Sequence, residues 1–326
     1  MIKAEWFYWL IAAFFLAVGF MVMRDRTNPK RFPSGAFWGL LGICFPYSGF
    51  VTGGSAPAWP LGIAVIVIAV LAGTGQLRSG TAEHSTSPEE REGLAARFGN
   101  KLFIPVLAIP VITGLFAAVG PNLSIGGKPV LEPGNETVIG LGASAVIAVV
   151  IGMWILRTRK PSVPLHEGRR LTENVGWAAV LPQLLSMLGL VFATAGVGKA
   201  IGNSAGQILP RGSLLAAVVV YCLGMTIFTI IMGNAFAAFP VMTAAIGYPL
   251  LIQQFHGNAG LVFAVGMLAG YCGTLCTPMA ANFNIVPVAL LGLKSDYSVI
   301  RAQIPTALPL WVCNVAIVYF LAFRSS

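Results

Sequence analysis

The sequence predicts an all-α membrane protein, a polytopic transmembrane helical bundle with about ten spans and two broken or re-entrant helices in its C-terminal half. Of the 326 residues, 56% are hydrophobic and only 10% are charged, and the mean hydropathy is +0.81. Soluble globular domains have a much more polar composition. Since one span needs roughly 20 apolar residues, residues 1–326 are predicted to form a single membrane domain with short loops.

The spans of the first half can be placed in order. Trp6–Met23 is an unbroken apolar run that ends at Arg24. It has no small-residue cleavage site before that charge, so a retained first helix is predicted. Five further spans are predicted over Gly35–Thr52, Trp59–Gln76, Leu102–Val119, Thr137–Leu156 and Gly176–Val197. Residues 1–175 are therefore interpreted as scaffold-like spans.

The basic residues predict how these spans are oriented. They concentrate in three loops, residues 24–31, 78–101 and 157–170, whereas residues 53–58 and 120–136 contain only Lys128. Loops rich in Lys and Arg stay on the cytoplasmic side. The pattern predicts a multi-pass protein of the bacterial inner membrane with its N-terminus outside. It also accounts for the net charge of +9 without a nucleic-acid partner.

One long polar segment carries a helix-start signal. Ser87 and Glu90 have the spacing of a capping box, with Pro88 at the first helical position. The segment after Ser87 is predicted to be an amphipathic helix on the cytoplasmic face. A docking or interfacial role and a plain solvated connector both remain open for it.

The second half, residues 176–326, differs because its apolar segments carry no ionisable carboxylate or amine. They carry breaks instead. Gly233-Asn234 and Phe239-Pro240 interrupt one apolar stretch, and the segment from Gly273 to Asn284 interrupts another. Lipid cannot satisfy free backbone groups, so irregular backbone at membrane depth must be buried in protein or line a wet cavity.

Broken helices of this kind form the substrate sites of secondary transporters, where half-helix N-termini and polar side chains bind an anionic group. The residues 176–326 are therefore interpreted as the half that holds the substrate site. The alternative is that Gly, Thr and Pro only permit close packing of transmembrane helices. The candidate substrate-binding residues are Asn234, Thr243, Thr274, Thr277, Asn282 and Asn284.

Other classes of function fit the sequence less well. An enzyme is not predicted, because no nucleophile, acid–base pair or metal set is visible at membrane depth. A primary pump is disfavoured because the loops lack a nucleotide-binding motif. A non-transporting structural or regulatory subunit of a transport complex stays open as an alternative.

Three motifs carry a family resemblance. The runs Leu190–Gly198, Ile231–Pro240 and Gly273–Asn284 resemble one subunit of the two-component bacterial 5-oxoproline (pyroglutamate) transporter family. The resemblance implies import of a small carboxylate together with a second, smaller membrane subunit. More distantly, the breaks resemble those of the ion-transporter superfamily, whose Ser-Asn-Thr-like tips hold substrate carboxylate and sodium. This chain has Gly-Asn-Ala and Gly-Thr-Leu-Cys-Thr-Pro at those places instead.

No cofactor is predicted apart from a coupling ion. Proton-coupled carriers usually hold a titratable side chain in their path, but Asp296 falls in a loop and His256 at a probable membrane edge. A sodium ion needs only oxygen ligands, which unwound carbonyls and the side chains of Asn234, Thr274 and Asn284 could supply. Sodium is therefore favoured, and homo-oligomer formation stays open.

The orientation yields a direct prediction. A reporter that is active only in the periplasm should be silent when fused at Lys160 and active when fused near Gly127, because only the first position lies in a basic loop. Enzymatic activity of the two fusions in intact cells measures this. The opposite pattern of activities would reverse the topology.

Overall fold

The computed structural model describes residues 1–80, 85–160, 162–201, 213–281, 283–295 and 297–324. Helices dominate this part of the chain, which also has a short hairpin and an isolated parallel bridge between Ile2 and Leu131. The chain divides into two compact units, Met1–Gly176 and Trp177–Ser326. The prediction of an all-helical fold is confirmed.

The first unit contains seven helices within the described residues. They are α1 (Ala4–Arg24), α2 (Arg31–Thr52), α3 (Trp59–Gly73), α4 (Pro88–Phe98), α5 (Phe103–Val119), α6 (Glu136–Ile155) and α7 (Ser162–Val175). The hairpin pairs β1 (Ser124–Ile125) with β2 (Lys128–Pro129) in antiparallel register, Ser124 opposite Pro129. Helix α7 lies where the sequence predicted only a basic loop.

The capping signal before α4 is confirmed. The Ser87 hydroxyl accepts from Glu90 N at 3.2 Å, and the Glu90 carboxylate accepts from Ser87 N at 3.0 Å. Both bonds satisfy amides that the first helical turn leaves free. None of the residues of α4 is buried, so a docking or interfacial role and a solvated connector both stay open.

Six α-helices of the second unit lie wholly within the described residues. They are α8 (Leu181–Thr194), α9 (Leu214–Met232), α10 (Ala235–Met242), α11 (Ala259–Thr274), α12 (Ile285–Leu291) and α13 (Ser298–Leu321), with a π-helical segment over Thr243–Gln254. The core of this unit forms around α9, α11 and α13, and Tyr221, Met225 and Leu251 are fully buried in it.

Seven helical stretches among the described residues are long and apolar enough to cross a membrane. They are Ala4–Arg24, Arg31–Thr52, Pro88–Asn122, Glu136–Ile155, Leu214–Met232, Ala235–Gln254 and Ser298–Leu321. Trp59–Gly73 and Ala259–Thr274 are apolar but shorter. Apolar helices in this number indicate a multi-pass membrane protein, and the count of about ten spans is not confirmed.

Glycines allow α1 and α2 to pack closely. A Cβ added at Gly19 would lie 2.9 Å from the carbonyl oxygen of Gly35, and one at Gly42 would lie 3.2 Å from that of Ala12. Small residues at a helix interface let the two backbones approach, which is how membrane helices gain packing energy without a hydrophobic effect.

A buried charge cluster in the first unit ties α7 to the end of α1. The Arg169 guanidinium pairs with Asp25, and its Nε donates to Glu173 Oε2 at 2.8 Å. The side chains are 10% exposed for Arg169 and Asp25 and 3% for Glu173. Oxygen Oε1 of Glu173 is buried, and the backbone of Gly80 interacts with the Glu173 carboxylate. Two carboxylates therefore share one guanidinium in a dry setting.

The pKa values of the two glutamates of α7 are shifted in opposite directions. Burial raises the pKa of Glu173 above its ordinary 4.5, although Arg169 opposes the shift. Burial would also raise the pKa of Glu167, but hydrogen bonds from the amide and hydroxyl of Thr86 and pairing with Arg170 lower it overall. The neutral form of Glu173 and the ionised form of Glu167 are thus the ones that folding favours.

This contrast predicts opposite pH effects for two matched variants. The stabilising contribution of Glu173 is fully present below its ordinary pKa of 4.5 and is lost as pH rises through the raised value. The melting temperature of Glu173→Gln relative to wild type should therefore rise between about pH 4.5 and pH 7.5. The Glu167 carboxylate contributes in full above its ordinary pKa of 4.5 and loses this contribution as pH falls through the lowered value, so the melting temperature of Glu167→Gln relative to wild type should fall as pH rises toward about 4.5 and stay level above it. Melting curves of the purified protein in detergent measure both, and parallel curves for the two variants would contradict this assignment.

Candidate functional site

The first break lies between α9 and α10. Helix α9 ends at Met232, and Gly233 follows in the left-handed region with φ of +72°. Its N–H donates to the carbonyl oxygen of Thr229 at 2.7 Å. Asn234 is extended and caps α10, because its Oδ1 accepts from Phe236 N at 2.8 Å. This local geometry follows from the Gly-Asn pair, since glycine tolerates positive φ and Asn is a strong N-cap.

The second break separates α11 from α12, after Thr274. Asn284 holds this irregular segment together. Its Nδ2 donates to the carbonyl oxygens of Thr274 at 2.8 Å and Thr277 at 2.7 Å, and the side chain is fully buried. The amide therefore satisfies two carbonyls that have left the helical pattern.

The two breaks are in direct contact. The hydroxyl of Thr277 donates to the carbonyl oxygen of Ile230, in the last turn of α9, at 3.0 Å and accepts from Met279 N at 3.2 Å. A Cβ added at Gly233 would lie 2.5 Å from the carbonyl oxygen of Met279. Glycine at position 233 thus serves both the backbone turn and the close approach of the other break.

Glycines on α11 bring it against α9 just before the second break. A Cβ at Gly273 would overlap the carbonyl of Thr226 and lie 3.0 Å from Thr229 Cβ, and one at Gly270 would lie 3.0 Å from Ala235 Cβ. Helix α11 therefore touches α9 and the start of α10 at once. The close packing positions the ends of both broken helices at one place.

Three aromatic rings lie across the two breaks. Tyr271 on α11 packs its ring 6.1 Å from that of Phe236 and 6.1 Å from that of Phe283, measured between ring centroids. Phe236 follows the first break and is 59% exposed, and Phe283 belongs to the second and is 39% exposed. The side chains around the breaks thus include an accessible aromatic surface.

The candidate residues do not all come together. Asn234, Thr274, Thr277 and Asn284 lie at the contacting breaks, with the hydrogen bonds described above. Thr274 is buried and donates its hydroxyl to Tyr271 O at 2.6 Å. Thr243 lies farther along, where the π-helical segment begins, and its hydroxyl is 3.5 Å from that of Tyr221. Asn282, like Asp296, is outside the described residues.

The interruption predicted at Phe239-Pro240 is wrong. Pro240 lies inside α10, which runs without a gap from Ala235 to Met242. The helix widens into a π-helical turn from Thr243. A proline lacks an N–H and crowds the preceding turn, and wider helical turns can absorb that strain.

Neutral dipoles supply the polarity of this region. The sequence has no Asp, Glu, Lys or Arg from Ser213 to Leu293. Helix α10 and its π-helical continuation, Ala235–Gln254, direct an N-terminus to the first break, where the helix dipole is positive. Helices α9 and α11 direct their C-termini to the same place, where the dipole is negative. The site therefore offers opposite partial charges without carrying any formal charge.

Sequence reasoning missed several residues of this region. Thr229, the Ile230 carbonyl, Met279 and the three aromatic rings all take part in it. Thr229 lies in the last turn before the Gly233 break, and that position was the available signal. The ring contacts depend on which helices pack together, which the sequence pattern does not encode.

The chain matches the family described as protein of unknown function (DUF979) over residues 5–323. No curated protein and no solved structure matches it.

The contact between the breaks predicts unequal effects for two glycine substitutions. Gly233→Ala and Gly292→Ala both place a side chain at positive φ, +72° and +61°, which costs about 1–2 kcal/mol. Only Gly233 faces the Met279 carbonyl, whereas Gly292 has open space. Gly233→Ala should therefore lose about 1–3 kcal/mol more, from overpacking. Thermal unfolding of both variants measures the difference, and equal losses would mean that the breaks are not in contact.

Proposed function

We propose that this chain, which belongs to the DUF979 family, is a subunit of a secondary transporter that imports a small organic anion across the bacterial inner membrane. The observation that carries the proposal is the contact between two helix breaks, made by Thr277 Oγ1 and the Ile230 carbonyl, in a stretch of sequence, Ser213 to Leu293, that has no charged residue. At membrane depth, broken helices occur where the irregular backbone lines a cavity or a binding site.

The geometry favours an anion at the first break. The N-terminus of α10 carries partial positive charge, and no carboxylate among the described residues of this stretch opposes an anion. Asn234 accepts from Phe236 N through Oδ1, and its amide nitrogen is a group that donates to carboxylate oxygens. A single carboxylate matches such a neutral, dipolar site better than a polyanion would.

We propose 5-oxoproline as the substrate, on the resemblance of Ile231–Pro240 and Gly273–Asn284 to the two-component transporter family. Its ring is small and partly apolar, which suits the aromatic surface of Phe236, Tyr271 and Phe283. A second, smaller membrane subunit is part of the proposal. It would cover the exposed side of Phe236, which a transport path needs to be shielded from lipid.

The alternative is that the chain is a structural or regulatory subunit and that a partner forms the path. Uptake of radiolabelled 5-oxoproline by cells expressing this chain alone, the neighbour-encoded membrane partner alone, and both together separates the two. The proposal expects uptake only when this chain is present. Full uptake by the partner alone would make this chain a non-transporting subunit.

A pair of matched variants tests whether the first break binds the substrate. Asn234→Leu and Asn258→Leu each remove a helix cap of the same kind, since Asn258 Oδ1 accepts from Leu261 N at 3.0 Å. Only Asn234 lies at the break. Per molecule in the membrane, Asn234→Leu should lower uptake about tenfold or more, the factor for about 1.4 kcal/mol of binding. Asn258→Leu should stay near wild type.

Uptake rates normalised to membrane expression by immunoblot measure the effect. Equal uptake by the two variants would show that the Gly233-Asn234 break is a packing feature. If neither leucine variant reaches the membrane, Asn234→Ser replaces Asn234→Leu. This variant keeps a capping oxygen but shortens the side chain, and it should also lower uptake.

A further inference from the structure

Two buried oxygens near the breaks lack a hydrogen-bond partner. They are Asn284 Oδ1 and Thr229 Oγ1, and both side chains belong to fully buried residues. Leaving a buried polar atom unpaired costs about 1–3 kcal/mol. Buried oxygens of this kind need a partner, which an ion or a water molecule can supply.

The orientation of the Asn284 amide is fixed by its other end. Nδ2 donates to the carbonyl oxygens of Thr274 and Thr277. Exchanging the amide nitrogen and oxygen would place Oδ1 against those two carbonyl oxygens, which repels. Oδ1 therefore faces away from them as an acceptor that only a donor or a cation can satisfy.

Thr229 differs from the threonine one turn before it. Thr226 donates its hydroxyl to Cys222 O at 2.9 Å and lies 2.8 Å from Ala269 O, the usual solution for a threonine inside an apolar helix. The Thr229 hydroxyl donates neither to a carbonyl of its own helix nor to one of α11. It faces α11, where a Cβ on Gly270 would lie 3.3 Å from Oγ1.

Both oxygens lie at the end of α11. Thr229 packs against Gly270 and Gly273, and Asn284 binds the carbonyls of Thr274 and Thr277. The C-termini of α9 and α11 meet here, so their dipoles add negative potential. The region combines neutral oxygen ligands with two negative helix ends, which is the environment that a dehydrated cation requires.

The charge of the surroundings limits the kind of cation. No carboxylate occurs from Ser213 to Leu293, whereas proteins bind Ca²⁺ and Mg²⁺ chiefly through carboxylates. Soft metals prefer thiolate or imidazole ligands, and among the described residues no three His, Cys, Asp or Glu side chains group together. A hard monovalent cation bound by oxygen atoms fits these conditions.

We propose that an alkali cation, sodium, binds between Thr229 Oγ1 and Asn284 Oδ1, behind the anion site at the first break. Its role as coupling ion rests on the proposed function, but its binding does not. The cation would hold the second break through Asn284, and the Thr277–Ile230 hydrogen bond links that break to the first. Cation and anion binding would then favour each other reciprocally.

Thermal stability of the purified chain tests the site without transport. Sodium chloride should raise the melting temperature in a saturable way relative to choline chloride at equal ionic strength, because a ligand that binds only the folded state stabilises it. Potassium and choline should act at least tenfold more weakly by concentration. If sodium and choline act alike on the wild-type protein, the cation site is wrong.

A matched pair of threonines locates the site. Thr229→Val replaces the unpaired hydroxyl by a methyl group of similar volume and should shift the half-maximal sodium concentration at least tenfold upward. Thr226→Val removes a hydroxyl that is already bonded and should keep the wild-type sodium response. An unchanged response in Thr229→Val would overturn the assignment. If Thr229→Val does not fold, sodium-22 binding by Thr229→Ala, which also lacks the hydroxyl, replaces it, and the affinity should fall by the same factor.

Uptake by both subunits in vesicles separates this inference from the proposed function. Sodium stabilisation with no uptake under any gradient would leave the cation site standing and defeat the transport proposal. Uptake that ignores sodium, but collapses with a protonophore, would leave the transport proposal standing and defeat the role of sodium as coupling ion. An inward sodium gradient that drives uptake in the presence of the protonophore supports both.

Discussion

The two breaks of the second unit depend on satisfying backbone polar groups in a stretch, Ser213 to Leu293, that has no charged side chain. Each break frees carbonyls and amides that a continuous helix would pair, and lipid offers them nothing. Three side chains supply the missing partners: Asn234 caps α10, Thr277 binds the Ile230 carbonyl, and Asn284 binds two carbonyls of the second break. These bonds also hold the breaks against each other, so satisfying the backbone and building the site are one requirement.

A site built this way can bind an ion with dipoles alone. A buried carboxylate or guanidinium would attract its ion more strongly, but it would cost several kcal/mol of desolvation whenever the ion leaves. Neutral helix ends carry no such cost, and a carrier must release what it binds. The first unit shows the contrasting case, where Asp25, Arg169 and Glu173 keep a permanent buried charge cluster at the end of α1.

Features that depend on local sequence could be predicted. The apolar runs predicted α1, α2, α3, α5 and α6 of the first unit. The Ser87–Glu90 spacing predicted the capping box, and Gly233-Asn234 predicted a break that the structure has. The prediction failed at Pro240, because the helix absorbs the proline in wider turns. Thr229 and the aromatic rings were missed because their importance arises from the approach of α11, which three-dimensional packing decides. Helix α7 was not predicted, because residues 157–170 were interpreted as a basic loop. Its buried Arg169 pairs with Asp25, which is distant in sequence.

The central claim is that a small carboxylate binds where the two breaks meet, and site-directed labelling tests it most directly. In a cysteine-free background, Met279→Cys places a thiol at the contact with Gly233, and Leu293→Cys places one beyond α12. Met279 is 46% exposed and Leu293 38%, so the reactivities are comparable at the start. The rate of maleimide labelling at position 279 should fall when 5-oxoproline is added to the assembled transporter, while the rate at position 293 stays unchanged. Equal rates at position 279 with and without substrate, in protein that still transports, would contradict the claim.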